Sequence, residues 1–152
     1  MTIREFVGRL LDCDENADRN LQSGEDPRRF ENPVERAHSL GLIDLHAVEH
    51  VDDPITRRDA ARILHIFLRD VLSVPDLKDI SAAGVLRDLY DCRVCVNDIA
   101  QVFCRGIMSA HEYPEGLKLF ESYATLSDAE AEKIFMHLKP IIHDRGIEYR
   151  GL

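Results

Sequence analysis

ITRRDAARILHIFL, residues 55–68, carries the strongest local signal in the chain. Ala60, Ile63, Leu64, Phe67, Leu68 and, just beyond, Val71 recur at i, i+3 and i+4 spacing and line one face of a helix. Thr56 stands where a hydroxyl can cap the first turn. Asp59, three residues on, completes a capping box with Asp in place of the usual Glu. Pro75 lies past the end of the helix.

Upstream, Pro33 opens a short helix carrying Val34, Ala37 and Leu40, and Gly41 closes it; proline at a helix start and glycine just past its end is the favoured order. Downstream, residues 82–90 read as helical. Val96, Ile99, Ala100 and Phe103 give another amphipathic face, closed by Gly106. Residues 108–125, with Pro114 and Gly116, read as a loop. Ser127 and Glu130 then form a standard capping box, and Ile134, Phe135 and Leu138 form the stripe of the helix they open. Pro140 is expected to end or kink that helix. At the N-terminus Ile3, Phe6, Val7 and Leu10 share a helical face. No convincing pair of strands stands out, so the expected fold class is all-α.

The order repeats. Val34 precedes Gly41 by the same interval as Ile99 precedes Gly106. Gly41-Leu42-Ile43 parallels Gly106-Ile107-Met108, and Ile55-Thr56-Arg57-Arg58-Asp59 parallels Leu126-Ser127-Asp128-Ala129-Glu130. The expected division of the single domain is an N-terminal helix and loop (1–22), a first unit (23–74), a second unit (80–140) and a loose tail (141–152). One such unit cannot bury its apolar face alone, so the copies must pack together.

This pattern resembles the S-layer homology repeat, through Val34, Gly41, Leu42, Ile55, Thr56, Arg57 and Asp59 in the first copy and Asp88, Ile99, Gly106, Ile107, Phe120, Leu126, Ser127, Ala129 and Glu130 in the second. The resemblance implies helical repeats, usually in threes, that bind acidic cell-wall polysaccharide and use motif arginines for contact. This chain departs from that pattern: it shows two copies, has no Trp, carries Asp128 where the motif arginine would stand in the second copy, and shows no export signal.

Composition excludes several classes of function. The net charge is −9, and Arg28-Arg29 and Arg57-Arg58 do not amount to a basic face, so no nucleic-acid partner is expected. No apolar run approaches the roughly 20 residues that span a bilayer. Arg4, Glu5 and Arg9 interrupt the apolar start, so a cytoplasmic location is expected.

Arg57 and Arg58 would sit in a first helical turn, where positive charge opposes the helix dipole. Either nearby Asp52, Asp53 or Asp59 pairs with them, or an anion binds there. Thr56, Arg57, Arg58 and Phe30 are the candidate contact residues. Cys92-Arg93-Val94-Cys95 is a CxxC pair, but Cys104 would point to the opposite face from Cys95 and no fourth ligand is evident, so Cys92 and Cys95 are weak zinc or redox candidates and free thiols are expected. Asp14, Asn16, Asp18 and Glu25 have calcium-loop spacing, but Arg19 stands where that loop needs glycine. No catalytic constellation appears. The expectation is a non-catalytic interaction module without a cofactor, contacting a protein partner inside the cell and capable of homodimerising. A surface anchor for acidic polysaccharide, and a metal or redox protein, are the alternatives.

Overall fold

The computed structural model describes residues 1–14 and 32–149, with side chains described as far as residue 144. Phe30 and the calcium-spaced residues Asn16, Asp18 and Glu25 lie outside the described residues. The helices are α1 (Ile3–Cys13), α2 (Pro33–Ser39), α3 (Leu45–Glu49), α4 (Arg57–Ile66), α5 (Val96–Cys104) and α6 (Asp128–Tyr149). A π-helical turn, Phe67–Val71, extends α4, and short 3-10 turns at Ser81–Val85, Leu89–Asp91 and Arg93–Cys95 lead into α5.

The all-α expectation is corrected. Residues 108–125 are not only loop: His111–Tyr113 (β1) pairs antiparallel with Leu117–Leu119 (β2), in the register His111 with Leu119 and Tyr113 with Leu117. The fold is mixed, mainly helical with one small two-stranded sheet. The turn between the strands runs through Pro114 and Gly116, which has φ 76°. Two further expectations are corrected. Residues 141–149, expected as part of a loose tail, are helical, because α6 runs through Pro140 to Tyr149. Residues 82–90 form short 3-10 turns rather than one helix.

Local chemistry explains most helix boundaries. Asn32 caps α2 through its side-chain oxygen and Val34 N–H. Gly41 and Gly106 adopt φ 79° and 74° just past α2 and α5. A Cβ there would meet nothing within 4 Å, so the left-handed backbone itself is what calls for glycine.

One core joins these elements. Phe6, Val7 and Leu10 of α1, Ile55, Leu64 and Phe67, Ile99 and Val102 of α5, and Phe120 and Leu138 are all fully buried. Helix α1 packs on α2, α4 packs on α5, and α1 also meets α6, where the Phe6 and Phe135 rings lie 5.4 Å apart. No described helix is long and apolar enough to cross a membrane.

Candidate functional site

Three helix starts build the site. Thr56 Oγ1 accepts the Asp59 N–H, and Ser127 Oγ accepts the Glu130 N–H while Glu130 answers the Ser127 N–H. The sequence analysis treated α1 as an extra helix, yet it begins in the same way. Thr2 Oγ1 accepts the Glu5 N–H, and Glu5 accepts the Thr2 N–H. Thr2-Ile3-Arg4-Glu5 is therefore a full capping box like that of Ser127 and Glu130, whereas at Thr56 only the hydroxyl half forms and Asp59 does not answer the Thr56 N–H; the Thr2–Glu5 spacing was the available signal.

These starts are interlocked by main-chain hydrogen bonds that repeat position for position. Ile3 N–H donates to Asp53 C=O, Arg4 N–H to Val51 C=O, and Ile55 N–H to Met1 C=O. One step along, Arg57 N–H donates to Ala124 C=O, Arg58 N–H to Ser122 C=O, and Leu126 N–H to Ile55 C=O. Each extended approach to one helix thus satisfies the orphan N–H groups of another. In this frame Ile3 and Arg57 occupy corresponding places, each the first residue of its helix.

Two pockets also correspond. The first is lined by Ile3, Leu42, Ile43, Asp44, His46, Asp59, Arg62 and Ile63, with Ala47, His50, Asp53, Pro54, Thr56 and Arg58 around them. The second is lined by Arg57, Ile107, Met108, Ser109, Ala110, His111, Glu130, Lys133 and Ile134. Leu42-Ile43 matches Ile107-Met108, Asp59 matches Glu130, and Arg62-Ile63 matches Lys133-Ile134. Their volumes are about 420 and 140 Å³. The larger lies in the range of ordinary ligand sites, roughly 300–1,000 Å³.

Arg57 accounts for much of the difference. Its side chain is 2% exposed. Nε donates to Phe120 C=O at 2.7 Å, Nη2 donates to Ser109 C=O, and Nη1 lies 3.2 Å from Glu130 Oε1. The guanidinium also stacks 4.6 Å from the centre of the Phe120 ring. Burial pulls the Arg57 pKa below its ordinary value, against the opposing pull of Glu130. Burial pushes the Glu130 carboxyl up, but His111, the Ser127 N–H and Arg57 outweigh it and hold the carboxyl low. The pairing expected for Arg57 is corrected: its acidic partner is Glu130, from the other unit, rather than Asp52, Asp53 or Asp59, while Arg58 does approach Asp59, at 3.8 Å.

In the larger groove Ile3 takes the place of that arginine. The charged groups there are loosely paired. Arg58 Nε is 3.8 Å from Asp59, Arg62 Nη1 is 3.9 Å from Asp44, and all four side chains are well exposed. Asp44 also caps α3, and the Ala47 N–H holds its carboxyl below the ordinary value despite the opposing effect of burial. The rings of His46, on α3, and His50, just past its end, lie 4.5 Å apart.

Of the residues singled out in sequence, Thr56 and Arg58 therefore line the larger groove, and Arg57 lines its smaller counterpart. Arg58 also spans 5.1 Å to the Tyr123 ring and reaches Cys92 Sγ at 3.8 Å. Cys92 and Cys95 are joined by a disulfide across a Cα–Cα distance of 5.3 Å, which corrects the expectation of free thiols there. A short 3-10 turn brings the two Cα atoms within disulfide range. Cys13 and Cys104 are free. Among the described residues no three His, Cys, Asp or Glu side chains converge as a metal cluster.

His65 sits on α4 among its core positions. It is buried, with Nδ1 2.7 Å from Asp98 and Nε2 2.7 Å from Asp76. This ties α4 to α5 and to the segment between them. Asp88 is similarly structural, accepting the Phe120 and Glu121 N–H groups at 2.7 Å each.

No family model, curated protein or solved structure matches this chain.

Proposed function

We propose that this chain is a non-catalytic binding module, similar to S-layer homology repeats, that contacts a protein partner inside the cell through the groove between α1, α3 and α4. One observation carries the reading: the fold builds the same pocket twice, and one copy is filled by the chain's own Arg57 while the other stands open. The three hydroxyl-capped helix starts and the repeated main-chain pairing support the family resemblance. Arg57, which would be the polymer-contacting arginine by that resemblance, is spent on Ser109, Phe120 and Glu130. A surface carrying −9 also repels an acidic polysaccharide. Both points favour a protein over a wall polymer. A second copy of the chain is among the proteins this groove could receive.

The test is a photo-crosslinking residue placed at His46, on the groove, against one at Met136, on an exposed part of α6. The reading expects a discrete protein adduct in the source cells from His46 alone, recovered in the cytosolic fraction. Adducts of equal yield at both positions, or adducts to wall polymer, overturn it.

A further inference from the structure

The smaller pocket shows what kind of group this frame holds. Its occupant is a guanidinium, gripped by a carboxylate one turn into the helix, by two main-chain carbonyls and by an aromatic face. The larger groove keeps the carboxylate at the same place, as Asp59. It adds Asp44 and Asp53 to the lining. Leu42, Ile43, Ile63, Ile3 and Pro54 offer apolar surface for an aliphatic stem. What it lacks is the guanidinium, because Ile3 stands where Arg57 stands in the other copy.

The geometry points to a ligand class: the open groove takes the arginine side chain of a basic protein segment, its guanidinium set against Asp59 as that of Arg57 is set against Glu130. The inference rests on the groove being the binding site. Asp53 lies 3.2 Å from His50 Nδ1 and Asp44 accepts the Ala47 N–H at 2.9 Å, which leaves Asp59 as the acid with the loosest partner. Arg58 with Asp59 and Arg62 with Asp44 are exposed and separated by 3.8 and 3.9 Å, and such surface pairs are weak. A planar, forked guanidinium entering from a partner can make closer, bidentate contact with a carboxylate. The net charge of −9 favours approach of a basic segment over any acidic one.

The experiment titrates the full chain with acetyl-Gly-Arg-Gly-amide, followed by NMR shifts at Ile43, His46 and Ile63. The same peptide with citrulline, which keeps the shape and loses the charge, is the control, and inorganic phosphate is the opposing probe. Saturable shifts confined to the groove are expected with arginine and not with citrulline or phosphate. Asp59→Asn should weaken binding at least about tenfold, the usual loss of one hydrogen bond to a charged group. Ile3→Arg should fill the groove from within and abolish binding. If Ile3→Arg does not fold, Asp59→Asn alone decides. Equal binding of citrulline, preference for phosphate, or indifference to Asp59→Asn overturns the inference. A His46 adduct with no arginine binding would leave the groove as the binding site and discard only this ligand class.

Discussion

The pocket around Arg57 and the groove around Ile3 share a main-chain frame and differ in what the first helical residue contributes. In one, an arginine is buried and meets Glu130 and two carbonyls. In the other, an isoleucine leaves a groove about three times as large, whose charges pair loosely at the rim. The difference teaches that a repeat can be spent in two ways. One copy closes the junction between units with a buried arginine, and the other leaves the corresponding groove open.

The largest effect expected from breaking this contrast is at Arg57. Arg57→Ala leaves Glu130 and the Ser109 and Phe120 carbonyls without their buried partner, at a cost of about 3–5 kcal/mol. Chemical denaturation reads this directly, and a loss below about 1 kcal/mol would mean that the cluster does not hold the junction. The helix starts come next. Thr2→Ala, Thr56→Ala and Ser127→Ala should each cost about 1 kcal/mol, the usual value of a lost N-cap. If Thr2→Ala were neutral while the other two were not, α1 would not belong with α4 and α6 as an equivalent start.

Much of this frame is legible in the sequence. The stripes of α4, α5 and α6, the glycines at 41 and 106, the Ser127–Glu130 capping box and the Thr56 cap follow from spacing alone, because each depends on neighbours within a turn or two; the returning half of the box expected at Asp59 does not form. The β1–β2 hairpin is not legible in that way. Its strands have three residues each, half of them exposed and half partly buried, too short to display an alternating pattern. The helical tail escaped because Pro140 reads as a stop, although the helix continues through it. Thr2 and Glu5 stand at capping-box spacing, but two residues are a weak signal without the helix-and-glycine order that marks the other two starts. Arg57 illustrates the main limit. An arginine in a first helical turn reads as exposed, and its burial depends on acceptors at 109, 120 and 130 that only tertiary structure brings to it. The same long-range dependence hid the difference between the two pockets.

Paired double-mutant cycles test the central comparison most directly, one on Arg57 with Glu130 and one on Arg58 with Asp59, both read as unfolding free energy. The buried pair should couple by at least about 1.5 kcal/mol, as residues in one hydrogen-bonded network do, while the exposed pair at the open groove should couple by less than about 0.5 kcal/mol. Equal couplings, or none between Arg57 and Glu130, would contradict the division of one repeated pocket into a closed and an open copy.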